Sequence, residues 1–181
     1  MSDLKEKKIN SKIVYSGNFL DVRKDNVLLP NDKTSSREWI NHPGAVVIIP
    51  VLPNGDIALI RQFRYAVGKE FIELPAGKLD KEESPEECAK RELEEEIGFN
   101  ANRLDFVATI HPAIGFANEE MSLFLALDLV KTQENRDADE FLELMPTTLD
   151  KALGLVWSNK ITDVKTIIGI LWYQKLARDN K

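Results

Sequence analysis

The segment GKLDKEESPEECAKRELEEEIGF, residues 77 to 99, constrains the fold most because it defines a helix and both of its ends. Ser84 is suited to the N-cap, Pro85 to the first helical position, and Glu87 completes a capping box with Ser84. Gly98 is a natural terminator at the other end. An apolar stripe that recurs every four residues is suited to face a core. It consists of Ala89, Leu93 and Ile97. The sequence therefore predicts a helix over residues 85 to 97.

The predicted helix is crowded with negative charge. Glu92, Glu95 and Glu96 are related by i,i+3 and i,i+4, so their carboxylates share one face, away from the apolar stripe. Each like-charge i,i+4 pair costs roughly 0.2–0.5 kcal/mol on an isolated helix. A solvated acidic face is one interpretation of such a run. A divalent cation that converts the repulsion into attraction is the other, and oxygen ligands favour Mg²⁺ or Mn²⁺ over zinc.

The rest of the chain predicts an α+β fold. Short strands are expected over residues 12–41, with a turn at Pro30-Asn31-Asp32. The segments AVVIIPVL and DIALIRQFRY predict a hairpin, because the Asn-Gly pair between them supplies the positive φ angles of a tight turn. EFIELPAG predicts one strand that enters a glycine loop. Further strands and two closing helices complete a mixed-sheet sandwich rather than an alternating parallel fold. They are RLDFVATIH, EMSLFLALDLV and FLELMPTT, then TLDKALGLVW and TDVKTIIGILWYQKLA.

The composition narrows the classes of function. A net charge of -6 argues against a nucleic-acid or anionic-membrane partner, because phosphate backbones are bound by an excess of basic residues. The apolar runs are far shorter than a membrane span, and the first residues lack the apolar region of a secretory signal. Cys88 is the only cysteine, which suits a reducing compartment. We therefore expect a cytoplasmic protein, and two arginines would suffice to bind a small phosphorylated ligand.

The acidic segment also resembles the Nudix box at each defined position: Gly77-x5-Glu83-x7-Arg91-Glu92-Leu93-x-Glu95-Glu96-x-Gly98-Phe99. The resemblance implies a Nudix-type α/β/α sandwich with a mixed sheet, which cleaves nucleoside diphosphates linked to another moiety with Mg²⁺ or Mn²⁺. It implies a set of metal ligands, namely Glu92, Glu95, Glu96 and the backbone carbonyl of Ala76. Arg91 is expected to orient the carboxylates, and Glu95 is a further catalytic candidate.

Outside the box, the chain resembles the ADP-ribose pyrophosphatase subfamily. The matching segments are GDIALIRQFRY, ELPAGKLD, HPAIGFANEEMSLFLAL, DADEFLEL and ITDVKTIIGILW. The resemblance implies cleavage of ADP-ribose to AMP and ribose 5-phosphate. ADP-glucose and GDP-mannose are alternative substrates, and a non-catalytic ADP-ribose-binding protein is the alternative from another class. It also implies an N-terminal β region over residues 1–42, whose strands swap across a homodimer, followed by a Nudix domain over residues 43–181.

Several residues are candidates for substrate contacts. Arg61 and Arg64 lie three apart on a predicted strand, so alternation places them on opposite faces. The resemblance favours Arg64 as the phosphate contact, with a surface ion pair as the alternative. Glu73 is expected near the substrate or the metal. The loop HPAIGFANEE is expected at the ribose, where Glu119 is preferred and Glu120 is an alternative.

The adenine contacts are expected from the N-terminal region. Phe19, Arg37 and Trp39 are the available stacking groups, since an adenine favours an aromatic or guanidinium face. Packing in a core or an interface is the alternative for each of them.

The general base is expected in an acidic loop after the strand SLFLALDL, by resemblance to related enzymes. Ala138 occupies the position that usually carries the second acid of this loop, so Glu140 is the preferred candidate. Asp139 and Asp137 are alternatives, and a box glutamate or a bound hydroxide is another.

Overall fold

The computed structural model describes residues 3–132 and 141–179. Its first three strands form an antiparallel sheet of their own, in the order β1-β2-β3. They are β1 (Lys7–Ser16), β2 (Asp21–Leu28) and β3 (Thr34–Asn41). The predicted turn between β2 and β3 is confirmed, because Asp32 has a φ of 61° and its N–H donates to the carbonyl of Leu29 at 3.0 Å.

Two further sheets and three helices form the body of the protein. The mixed sheet has the order β7-β4-β9-β8, in which β4 and β9 are parallel, and the antiparallel sheet has the order β10-β5-β6. The strands are β4 (Ala45–Pro50), β5 (Ile57–Arg64), β6 (Lys69–Glu73), β7 (Ala76–Lys78), β8 (Phe99–Ile110), β9 (Met121–Lys131) and β10 (Leu142–Thr147). The helices are α1 (Pro85–Ile97), α2 (Leu149–Trp157) and α3 (Val164–Asp179). No helix in the described ranges is long and apolar enough to cross a bilayer.

The predicted hairpin of β4 and β5 is wrong, because the two strands belong to different sheets. Only an isolated bridge between Val51 and Ile57 joins them beside the turn. Every residue of β4 is buried, so the strand needs neighbours on both edges, and β7 and β9 supply them. The predicted positive φ angle is present at Gly55, with a φ of 87°, but not at Asn54.

The segment EFIELPAG forms two strands instead of the single predicted one. β6 ends at Glu73 in the antiparallel sheet, and β7 begins at Ala76 in the mixed sheet. Between them, Leu74 is fully buried and the carbonyl of Pro75 accepts a hydrogen bond from the N–H of Ile48 at 2.9 Å. The chain therefore changes sheets within two residues, which places the ends of β6 and β7 close together.

The helix α1 has the ends that its sequence predicts. The N-cap Ser84 and Glu87 form a capping box, and Gly98 ends the helix in the left-handed conformation with a φ of 68°. The predicted stripe of Ala89, Leu93 and Ile97 is buried.

Alternation along the central strands places helices on both faces of the sheets, which confirms the predicted sandwich. On one face, Val46 and Ile48 pack in a cluster with the apolar stripe of α1. On the other face, Val47 and Ile49 pack in a cluster that includes α2 and α3. Gly169 of α3 makes the close approach possible, since a Cβ there would lie 2.3 Å from Leu74 Cδ1.

Two helical glycines provide a matched test of this packing. Gly169→Ala is expected to lower the free energy of unfolding by about 1–3 kcal/mol, because the added methyl group overpacks the core against Leu74. In α2, no atom lies within 4 Å of a Cβ added at Gly154. Gly154→Ala should therefore raise the stability by up to about 1 kcal/mol, from helix propensity alone. Urea denaturation followed by circular dichroism measures both, and equal effects would contradict the packing argument.

Candidate active site

A cavity of about 500 Å³ opens between α1, the beginning of α3 and the loop before β9. Its lining carries charges of both signs. The carboxylates of Glu92 and Glu96, which we call the acidic wall, come from α1. Arg64 and Lys165, which we call the basic wall, come from β5 and α3. Opposed charges of this kind suit a ligand that combines phosphate anions with a metal cation.

The acidic wall is buried and closely fitted to β7. Glu92 and Glu96 are 7% and 4% exposed. The N–H of Ala76 donates to Glu96 Oε2 at 3.1 Å. A Cβ at Gly77 would lie 1.7 Å from Glu92 Oε1 and 2.5 Å from its Cγ, so this position admits only glycine while Glu92 keeps its place. The first glycine of the box is therefore required by contact with the first glutamate of the helix cluster.

The guanidinium of Arg91 organises the remaining acids of the box. Its Nη1 donates to Glu92 Oε1 at 2.7 Å and to Glu95 Oε2 at 2.8 Å. Its Nε and Nη2 donate to the two oxygens of Glu83 at 2.9 and 3.0 Å, and Nη2 lies 3.1 Å from the carbonyl of Lys78. One cation thus offsets the repulsion of three carboxylates. The expectation that Arg91 orients the carboxylates agrees with this geometry, while a catalytic role stays a prediction.

Two titratable groups are strongly affected by Arg91 and its surroundings. The hydrogen bonds from Arg91 lower the pKa of Glu83 from its ordinary value of 4.5 to about 2. The Cys88 thiol is fully buried and donates to the carbonyl of Lys78 at 3.3 Å, and burial raises its pKa to about 12.

The basic wall is held by a buried acid, Glu73, which is 2% exposed. Arg64 donates from Nε and Nη2 to the two oxygens of Glu73, both at 2.8 Å, and Lys165 Nζ donates to Glu73 Oε2. Burial acts to raise the pKa of Glu73, but the hydrogen bonds from Arg64 and the charge of Lys165 outweigh it, so this pKa lies below its ordinary value. Arg61 points elsewhere and pairs with Glu70 and Glu143, so only one of the two strand arginines lines the cavity.

The loop before β9 brings Glu119 to the cavity, whereas Glu120 is 61% exposed and lies near His111. Glu119 Oε1 lies 3.8 Å from Nε2 of His42, whose Nδ1 accepts a hydrogen bond from the N–H of Gly44. The loop is also joined to β3, because Ile40 N–H donates to the carbonyl of Phe116 at 2.8 Å. The structure therefore distinguishes the two candidate glutamates by position and ties this loop to the N-terminal sheet.

The three candidate adenine contacts lie in different places. Phe19 lines the cavity, and Lys78 Nζ lies 4.3 Å from its ring centroid. Arg37 pairs with Glu6 at the surface, and Trp39 donates from Nε1 to Asp25 at 3.1 Å. Neither Arg37 nor Trp39 is part of the cavity lining within a single chain.

Two of the remaining predictions are not decided by the geometry. Glu95 accepts from Arg91 and does not line the cavity, so its roles as metal ligand and catalyst stay predictions. Glu140, Asp139 and Asp137, the candidates for the general base, lie outside the described residues.

The donor chemistry of the acidic wall fits a hard divalent cation. Glu92, Glu96 and the carbonyl of Ala76 supply only oxygen, the atom that Mg²⁺ and Mn²⁺ prefer. Across residues 3–132 and 141–179, no three His, Cys, Asp or Glu side chains are grouped closely enough to hold a metal ion by themselves. Mg²⁺ commonly binds to one or two carboxylates and takes its other ligands from water and substrate phosphates, which is consistent with this arrangement.

Sequence reasoning missed three charged residues that line the cavity, namely Lys78, Asp163 and Lys165. The available signal was the Asp-x-x-Thr spacing at the beginning of α3. Asp163 accepts from the N–H and the hydroxyl of Thr166, as an N-cap aspartate does. The partners of Lys165 across the fold are not visible in the local sequence.

The comparisons with known proteins establish the class. Residues 41–163 match the NUDIX domain, and residues 6–40 match the nucleoside diphosphate sugar hydrolase N-terminal domain. The chain belongs to the Nudix family and is a Nudix hydrolase.

Relatives and solved structures place it more closely. The chain is 43% identical to an ADP-ribose pyrophosphatase of Bacillus subtilis (strain 168), with 96% of this chain and 95% of the relative covered. It is 38% identical to a methanol dehydrogenase activator of Bacillus methanolicus, with 93% and 92% covered. A crystal structure of an ADP compounds hydrolase superposes with a TM-score of 0.87 at 22% identity and covers 97% of this chain and 96% of that one, which supports the fold.

The contact between Gly77 and Glu92 can be tested by one methyl group. Gly77→Ala should displace the Glu92 carboxylate from the cavity and lower kcat by on the order of 100-fold, the effect of a misplacement of about 1 Å. Gly154→Ala is the control, because a Cβ there meets nothing within 4 Å and α2 does not line the cavity. Steady-state hydrolysis of a nucleoside diphosphate sugar, with melting curves for both variants, measures the effect. Wild-type turnover by a folded Gly77→Ala protein would show that the fit is unimportant.

The low pKa of Glu83 predicts a pH-dependent contribution to stability. Because the pKa falls from 4.5 to about 2 on folding, the stabilisation is fully present above pH 4.5 and is lost as the pH falls through about 2. Glu83→Gln should lower the free energy of unfolding at pH 7 and flatten its decline between pH 5 and 2.

Denaturant titrations at a series of pH values measure this decline. Glu82→Gln is the control, since that side chain is 85% exposed. Identical pH profiles for wild type and Glu83→Gln would rule out the assigned ion pair as a source of acid sensitivity.

Proposed function

We propose that this Nudix hydrolase cleaves ADP-ribose to AMP and ribose 5-phosphate with Mg²⁺ or Mn²⁺. The observation that carries the proposal is the cavity, which is lined both by the acidic wall of α1 and by the basic wall of β5 and α3. A diphosphate bound between these walls would meet a guanidinium on one side and the carboxylates that suit a divalent cation on the other. The 43% identity to an ADP-ribose pyrophosphatase over nearly the whole chain supports the choice of substrate.

Several residues have proposed roles in binding or catalysis. Arg64 binds the phosphate oxygens, and Glu73 fixes its guanidinium by two hydrogen bonds. Glu92, Glu95, Glu96 and the carbonyl of Ala76 are the proposed metal ligands, and Arg91 orients the first two. When bound, the cation supplies charge neutralisation at the phosphates and lowers the pKa of a water molecule. Glu119, which lines the cavity, is the proposed acceptor of hydrogen bonds from the ribose hydroxyls, and Glu140 is the proposed general base.

The second part of the proposal is a homodimer that completes the adenine site. All ten residues of β1 are exposed in the single chain, and Ile9, Ile13 and Tyr15 are each more than half exposed. An exposed strand with apolar side chains is suited to cover a second copy. Swapped N-terminal strands would allow Arg37 and Trp39 to reach the cavity of the partner subunit. Phe19, in contrast, lines the cavity of its own chain.

The domain organisation and cellular location are proposed on similar grounds. Residues 1–42 would form the dimerisation region, and residues 43–181 the catalytic domain. A cytoplasmic location suits a chain whose single cysteine is buried and not in a disulfide bond.

Release of AMP from ADP-ribose tests the activity. Purified protein with Mg²⁺ should release AMP, and Glu96→Gln should lower kcat by on the order of 100-fold or more, because it removes charge from the acidic wall without changing its size. Circular dichroism shows whether the variant remains folded.

A panel of ADP-ribose, ADP-glucose and GDP-mannose, compared by kcat/KM, tests the substrate. The highest value should belong to ADP-ribose, and a clear preference for another sugar would overturn that choice. Tight binding of ADP-ribose without turnover would instead support a non-catalytic binding protein.

A further inference from the structure

We propose that Lys165 is a positioning residue for phosphate recognition, which acts through Glu73 to keep the guanidinium of Arg64 at the cavity. The inference rests on the proposed function of this cavity and extends it to the beginning of α3. Its basis is a chain of four alternating charges, from Arg64 through Glu73 and Lys165 to Asp163.

The first link is the sharing of Glu73 by two cations. Arg64 occupies both carboxylate oxygens, and Lys165 donates to Oε2 as well. A carboxylate that is 2% exposed requires such compensation, because a buried charge without sufficient partners is strongly destabilising. Asp163 in turn compensates Lys165, so the four charges sum to zero, and the chain offers an anionic ligand a hydrogen-bond donor rather than a net positive charge.

The second link fixes Lys165 to the fold. Its side chain is only 10% exposed, and Nζ also donates to Asp163 Oδ2 at 2.9 Å. The same Oδ2 accepts from Thr166 N–H at 3.0 Å and from Thr166 Oγ1 at 2.6 Å, so Asp163 caps α3. Thr166 Oγ1 in turn accepts from the N–H of Leu74, the residue after Glu73, at 2.8 Å. The beginning of α3 and the end of β6 are therefore held together.

Arg64 and Lys165 differ in how many of their N–H donors are already engaged. Lys165 has three N–H donors, of which two are engaged by Glu73 and Asp163. Arg64 uses Nε and Nη2 for Glu73, and its Nη1 has no hydrogen-bond acceptor within residues 3–132 and 141–179. Arg64 is 44% exposed and can present a donor to a phosphate, while Lys165 is 10% exposed and is held by Glu73 and Asp163. We therefore assign ligand contact to Arg64 and positioning to Lys165.

Loss of the Lys165 charge would leave Glu73 with Arg64 as its single strong cation. Glu73 would then bind Arg64 more strongly, so the guanidinium would be less available to a phosphate. Glu73 would also lose its link to α3, so the position of the guanidinium would be less fixed. We expect Lys165→Met to raise KM for ADP-ribose by on the order of tenfold, the value of one charge-assisted hydrogen bond. The value of kcat should change much less, because the acidic wall is untouched.

A double-mutant cycle separates positioning from direct contact. Lys165→Met, Arg64→Gln and the double variant are compared by KM and kcat, with Lys175→Met as the control on the exposed side of the same helix. If Lys165 acts through Arg64, the double variant should match Arg64→Gln in KM within about twofold. Multiplying effects would show that Lys165 acts independently, and an unchanged KM in Lys165→Met would show that it only stabilises the fold. Both results overturn the proposal.

A second variant and a binding measurement complete the double-mutant cycle. Lys165→Gln retains a hydrogen-bond donor without the charge and enters the same cycle if the methionine variant does not fold. Isothermal titration calorimetry with inorganic pyrophosphate repeats the cycle as a binding measurement. If the wild type releases no AMP from ADP-ribose, the proposed function fails, but coupling between Lys165 and Arg64 in pyrophosphate affinity still supports the positioning role. Independent effects in that measurement would overturn it.

Discussion

The fold of the active region depends on one arginine placed among acids. Arg91 binds Glu83 in the loop before α1, and Glu92 and Glu95 on the helix itself. Because these carboxylates would otherwise repel one another along less than four turns of helix, the guanidinium determines where each of them lies. Its contact with the carbonyl of Lys78 extends the same control to β7. Arg91 therefore holds the carboxylate oxygens of this acidic segment in a fixed arrangement.

A break between two sheets brings the opposite charge to the same cavity. Glu73, which holds the basic wall, ends β6, and Ala76, whose N–H holds Glu96, begins β7. Only Leu74 and Pro75 separate them, and both are anchored in the core. The α1 side and the α3 side of the sandwich therefore meet over one short stretch of backbone. A small displacement of this stretch is therefore expected to move the acidic wall and the basic wall together.

The sequence predicted features that depend on neighbouring residues, and it failed for contacts between residues that are far apart in the chain. The ends of α1 were correct because capping box, proline and glycine act within one turn of the helix. The β4–β5 hairpin was wrong because β4 is buried on both faces and pairs in parallel with β9, which no neighbouring residue reveals. The role of Lys165 was not predicted for the same reason, since its partner Glu73 lies 92 positions away in the chain. The acidic box could be recognised from the sequence because its residues lie within a single helix and the loop before it.

The buried thiol inside the box has a chemical consequence. Burial raises the pKa of Cys88 to about 12, so the neutral thiol predominates at pH 7, whereas the thiolate is the reactive form. Its sulfur lies 3.3 Å from Nη2 of Arg91, beside the group that arranges the acids, yet it offers almost no nucleophile to peroxides or alkylating agents. A cysteine at the centre of α1 is therefore compatible with resistance of this helix to oxidation.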